Sequence, residues 1–274
     1  MFGRPVDTVE KSSIEAVTIG ARQVNSAYHR QVPVLGELGS ATSSQLPSTS
    51  SSILIPLGST EQHGPHLPLD TDTRIATAVA RATAARLRAE QLPFAGQEWL
   101  VAPAIAYGAS GEHQSFAGTI SIGTQALTML LVEYGRSAAC WAQRLVFVNG
   151  HGGNVGALTR AVGLLRSEGR DAGWCACTSP GGDAHAGHTE TSLLLHLSPE
   201  DVRTDRWRAG NRTPLAELLP SMRRGGVAAV SRTGVLGDPT TATAAAGRRI
   251  FAEMVDDCER RVARWRLRPD GMLT

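Results

Sequence analysis

The sequence predicts an α/β protein with three αβα layers around a mostly parallel sheet. Short apolar runs of strand length alternate with stretches that carry apolar residues at helical spacing, a pattern that places helices on both faces of a parallel sheet. The loops that follow the strand-like runs are rich in glycine, histidine and carboxylates. A hydrophobic content of 42% against 19% charged residues, in a chain of 274, suits one large domain with a sizeable core and excludes wholesale disorder.

Taken in order, residues 1–52 read as a flexible extension and linker. Gly39 to Ser52 (GSATSSQLPSTSSS) is too polar to bury an ordering core, and one short helix fits within Ser12–His29. The folded domain is expected over 53–274. Ile53–Gly58 reads as a buried strand, although Pro56 removes a ladder donor and weakens a central position. Asp72–Arg88 is Ala-rich with an acidic start and reads as a helix, and Trp99–Ile105 as a strand. Gly123–Trp141 carries Leu, Met and Val at helical intervals. Arg144–Val148 (RLVFV) is a strand, followed by a helix over Asn154–Glu168 that Gly169 stops. Gly173–Thr178 is a further strand and Thr189–Leu197 a short helix. After a loop-rich stretch, Thr241–Trp265 is a long helix.

The densest chemistry lies in ILIPLGSTEQHGPHLPLDTD, Ile53 to Asp72, which delivers Glu61, His63, His66, Asp70 and Asp72 within twelve residues. Carboxylate oxygens and imidazole nitrogens without nearby cysteine suit a divalent zinc, iron(II) or manganese site. Glu61 and His63 are two apart, so extended backbone projects both from one face. The competing account is a polar surface loop with Asp72 as a helix N-cap.

Asn149–Asn154 (NGHGGN) sets His151 among glycines between a strand and a helix, where the chain can approach a ligand closely. Either His151 binds a metal, or Gly152, Gly153 and the helix N-terminus cradle a phosphate, although no P-loop or dinucleotide pattern is present. Gly181–Ser192 (GGDAHAGHTETS) adds Asp183, His185, His188 and Glu190. His188 fits a plain loop residue, and Glu190 fits a first helical turn. Gly108–Thr119 offers Glu112 and His113 on a glycine-bounded loop, read as substrate-facing or lid-like rather than ligating. Six of the eight histidines fall in these four loops, beyond successive strand ends where open α/β sheets gather ligands.

The net charge of +2, without a basic stripe interleaved with aromatics, argues against nucleic acid. No apolar run is long enough to span a bilayer, and MFGRPVDTVEKSS lacks a signal-peptide core, so a cytoplasmic protein is expected. Four cysteines make no disulfide framework; Cys175 and Cys177 read as core packing.

In this order, GSTEQHGPHLPLDTD, GEHQSFAGT, VNGHGGN and HAGHTET resemble the creatininase family of metal-dependent amide hydrolases, over roughly Ile53 to the C-terminus. Within it, IAYGASGEHQSFAGTISIGTQAL, GGDAHAGHTETSLLL and GVLGDPTTATAAAGRR resemble the branch of peptidases in mycofactocin biosynthesis. The resemblance implies a creatininase-like αβα fold, a hexamer and two divalent metal ions. Carried over by motif, Glu61 and His151 would hold one ion and His63 the other, with Asp72 bridging. Creatininase itself has a further ligand Glu where this chain has Gly153; Glu190 is its natural replacement here. His185 matches an active-site histidine, and with Glu190 completes the candidate catalytic pair; Glu112, His113, Gly152 and Gly153 are the candidate substrate contacts. Ala117 departs from a proline common in the family.

The implied reaction is hydrolysis of an amide by metal-activated water. The implied substrate is a modified precursor peptide, cleaved to release its modified C-terminal Val-Tyr dipeptide. Creatinine or a formamide-bearing heterocycle is the rival substrate within the family. A non-catalytic phosphate- or nucleotide-binding protein is the rival from another class.

Overall fold

The computed structural model describes residues 36–46, 51–89 and 98–274. Four short apolar runs pair into a sheet: β1 (Ser51–Leu57), β2 (Glu98–Val101), β3 (Arg144–Asn149) and β4 (Ala172–Ala176). Among the described residues six α-helices accompany them: α1 (Thr71–Ala89), α2 (Gly123–Ala138), α3 (Val155–Ser167), α4 (His188–Leu197), α5 (Leu215–Gly225) and α6 (Ala244–Arg264). Every strand pairing is parallel, in the order β2-β1-β3-β4.

Successive residues of a strand point to opposite faces, so strands apolar at every position must be covered on both. Leu54, Val146 and Val148 pack with residues of α1, α4 and α6 in one core. Ile53, Ile55, Leu57, Leu145 and Phe147 pack with α2 and α3 in the other. Cys175 is buried in the first core, and the cysteines are unpaired. No helix of the described residues is long and apolar enough to cross a membrane.

Three readings of the sequence change. β1 occupies a central position despite Pro56. Leu54 and Pro56 turn their carbonyls toward the β2 side, where they accept from Ala102 and Ile105, and regular pairing with β2 has ended at Val101. The missing donor of Pro56 thus falls where no ladder continues. Second, β2 is shorter than expected because Pro103 interrupts it, leaving Ile105 as a single bridge to Leu57. Third, the stretch read as loop-rich contains α5, which tolerates Pro220 in its interior.

β1 begins at Ser51, so two serines assigned to the linker are fully buried against Glu98 and Trp99. Within Gly39–Ser52, Ser43–Gln45 forms a 3-10 turn with Thr42 and Gln45 as a capping box. The short helix expected within Ser12–His29, like the rest of 1–35 and 47–50, lies outside the described residues.

Candidate metal centre and active site

The chain leaves β1 for β2 on one side and returns to β3 on the other, which makes the carboxyl ends of β1 and β3 a topological switch point. The loop after β1 carries Glu61 and His63 there, and the loop after β3 carries His151. Asp72 arrives in the first turn of α1. His185 and Glu190 come from the segment between β4 and α4. Asparagines tie these loops together: Asn149 donates to the His151 carbonyl at 2.7 Å, and Asn154 donates to the Gly58 carbonyl at 3.0 Å while accepting from the Ala109 amide at 2.9 Å.

The side chains converge. His151 Nε2 lies 3.2 Å from Glu61 Oε2, and its Nδ1 lies 3.3 Å from Asp72 Oδ2. His63 Nε2 lies 3.2 Å from Asp72 Oδ1 and 3.8 Å from Glu190 Oε2. Glu61, Asp72 and His151 form one set whose ligand atoms all lie within 4.8 Å of one another; His63, Asp72 and Glu190 form a second, and Glu61, His63 and His185 a third. Asp72 belongs to the first two, with its two oxygens turned to different imidazoles. Ser59 Oγ donates to Asp72 Oδ2 at 2.7 Å and fixes that orientation.

Both oxygens of Glu61 are buried and accept no well-formed hydrogen bond. A buried carboxylate left this way is costly unless something positive meets it. The oxygen and nitrogen donors at these separations fit divalent cations.

Electrostatics follow from burial and crowding. Burial opposes the charged form of His63, but Asp72, Glu190 and Glu61 outweigh it and raise its pKa to about 10. The same contest, with Glu61 and Asp72 as partners, raises His151 to about 9. Burial pushes Glu61 up to about 7 against the pull of His151, and Glu190 up to about 7 against the pull of His63. Asp72 is held well below the usual carboxylate range: burial works the other way, but His63 and His151 prevail. His185, buried beside His63 and His113, is pushed well below the ordinary imidazole value and is neutral at pH 7.

Ala186 has a left-handed backbone (φ 51°) and is fully buried, an arrangement that costs about 1 kcal/mol or more. It is the pivot between His185 and Glu190: its amide donates to Glu190 Oε2 at 2.6 Å, while the His185 backbone pairs with Leu236.

Other predicted residues divide. Glu112, His113, Gly152 and Gly153 line the same cavity of about 300 Å³ as Asp72, His151, His185 and Glu190. His113 is no lid residue, because it is buried with Nε2 3.4 Å from Glu61 Oε1. A Cβ at Gly153 would overlap His151 Nε2 and the Ala109 carbonyl and come within 2.7 Å of Glu112 Oε1. Position 153 therefore has no room for a ligand side chain here, and Glu190 brings its Oε2 to 3.8 Å from His63 Nε2. His66 is buried against Thr191 (2.9 Å) outside the cluster, and Asp70 pairs with Arg74 (2.8 Å). Asp183 accepts the Thr189 amide at 2.9 Å and caps α4, and His188 meets Thr241 at 2.9 Å.

Two contributors went unread in the sequence. Gln62, between Glu61 and His63, places its side-chain amide nitrogen 2.8 Å from His113 Nδ1 and 3.1 Å from His185 Nε2, and its backbone carbonyl 2.8 Å from His185 Nε2. Its position inside the EQH motif was the available signal. The apolar side of the cavity, formed by Leu215, Leu219, Met222, Val227 and Leu236, had none.

A family model described as creatinine amidohydrolase matches residues 37–262, beginning ahead of Ile53. The mycofactocin precursor peptide peptidase of Mycobacterium tuberculosis (strain ATCC 25618 / H37Rv) is 86% identical over 251 residues, which is 92% of this chain and 100% of the relative. The protein of the same description from Mycobacterium ulcerans (strain Agy99) is 77% identical over the same share of both chains. Among solved structures, one described as "Creatininase Mn" superposes with a TM-score of 0.63 at 26% identity, covering 78% of this chain and 91% of that one. The layered fold is therefore that of the creatininases.

Proposed function

The chain belongs to the creatininase family, and from that premise we propose that it is a mycofactocin precursor peptide peptidase working through a dinuclear metal centre. Its substrate is the precursor peptide carrying a modified C-terminal Val-Tyr pair, which hydrolysis of one amide releases. The extent of similarity to the two mycobacterial peptidases supports the substrate. The observation that most supports the chemistry is the pair of donor sets sharing Asp72.

In this reading Glu61, His151 and Asp72 hold one cation, and His63, Glu190 and Asp72 the other. Zinc, iron(II) or manganese so held lowers the pKa of water and polarises a scissile carbonyl. The remaining work falls to the chain. The Gln62 backbone carbonyl, 2.8 Å from His185 Nε2, and the Gln62 side-chain amide, 3.1 Å from it, hold that edge of the ring, while Nδ1 faces Glu61 at 3.8 Å. A neutral imidazole so oriented takes a proton from the attacking water and returns it to the departing amine. His113 and Gln62 hold His185 in place, and Gly152, open to the cavity, lets the substrate backbone come close.

The test is incubation of cation-loaded protein with modified peptide, unmodified peptide and creatinine, followed by mass spectrometry. Release of the modified dipeptide is expected. Turnover of creatinine in its place would make the protein a creatininase in activity as well as in family.

A further inference from the structure

α5 leaves apolar side chains bare beside a charged pocket. Leu215, Leu219 and Met222 follow one another at i, i+4 and i+7 and share a helix face. Leu218, a neighbour on the helix, is buried with Val227 and Leu236, whereas Leu215 and Leu219 stay 42% and 37% exposed. Scattered exposed leucines need no explanation. These two form one wall of the cavity that Asp72, His185 and Glu190 form on the other side.

The wall is fixed to the chemistry. Gly226, which ends α5, has φ 67°, and a Cβ there would stand 2.6 Å from the Glu112 carbonyl. The helix end therefore rests on the turn that carries Glu112 and His113. Ala184, Leu215 and Leu236 also line a neighbouring groove of about 680 Å³, whose other lining residues include Asp183, Asn211 and Thr213. The small compartment has the leucine wall; the groove offers Asp183, Asn211 and Thr213 as polar partners for a peptide main chain.

We propose that the Leu215/Leu219/Met222 face of α5 is the specificity wall for the apolar side chains of the C-terminal residue pair on the leaving side of the scissile amide. The upstream chain of the peptide then lies in the adjoining groove. This inference rests on the peptidase reading above. Covering a leucyl side chain on binding is worth about tenfold in affinity, so the wall selects peptides with an apolar end over polar-ended amides of similar size.

The experiment measures kcat and KM of the full-length, cation-loaded protein on the modified precursor peptide. Leu215→Ala/Leu219→Ala is expected to raise KM about tenfold with little change in kcat, and Leu219→Met, which keeps an apolar side chain of similar volume, to leave KM near the wild-type value. Leu164→Ala removes an equally exposed leucine (42%) from α3 and is expected to leave KM unchanged. An unchanged KM in the double variant, with the wild type active, would overturn the assignment. So would a fall in the solution mass of the α5 variants, which would make this face a subunit contact. Absence of cleavage by loaded wild type would defeat the peptidase reading and this inference with it, an outcome told apart by the inactive reference.

Discussion

Asp72 is shared by the two donor sets, because its oxygens meet His63 at 3.2 Å and His151 at 3.3 Å. Asp72→Ala is expected to lose both cations, measured by elemental analysis, whereas His185→Ala keeps them and loses about 10²- to 10⁴-fold in kcat, the usual share of a placed acid or base. The reverse pattern would refute the assignment. A pH prediction follows from the same contacts. In protein stripped of cations, His63 and His151 stay protonated to about 10 and 9, and Glu61 and Glu190 to about 7. Above about pH 6.5 the unfolded chain has released these protons, while the folded chain keeps those of Glu61 and Glu190 to about 7 and those of His151 and His63 to about 9 and 10, so stability falls as pH rises. The melting temperature of stripped protein should drop between pH 6.5 and 9. Cation loading at pH 7 should release protons, visible as a buffer-dependent calorimetric enthalpy.

At the scale of elements, the junction between α5 and the Glu112–His113 turn depends on one glycine. Gly226 combines φ 67° with ψ −169°, a region closed to side chains, and packs on the Glu112 carbonyl. Gly226→Ala is expected to cost about 1–3 kcal/mol in denaturant unfolding and to raise KM by displacing Glu112. α5 itself was illegible in the sequence because Pro220 and the surrounding Gly, Arg and Thr residues mask its short period. β1, β3 and α1 were legible because their apolar periods run unbroken between clear stops. Pro56 misled only because which side of a strand has a partner is a property of the sheet.

For the whole molecule, cations that bind the folded centre and not the unfolded chain must stabilise the fold, by about 2.7 kcal/mol at one hundred times Kd. Chelation should therefore lower the melting temperature, and restored zinc or manganese should return it. A hexamer is the assembly we propose from the family, and light scattering of loaded protein tests it. Glu61 and His63 stood out from the chain alone, since their density and their place after a strand-like run are local facts, whereas Glu190 was singled out as a ligand only by the resemblance to the creatininases. The alternation of strands with helices, and the parallel sheet it implies, were also legible in the chain alone. Only the tertiary structure decided that His66 and Asp70 stand apart while His113 and Gln62 join the cluster, and that α5 supplies an apolar wall. Those outcomes depend on which side of each loop faces the β1/β3 crevice, and that is set by packing between segments over a hundred residues apart, which no local pattern records.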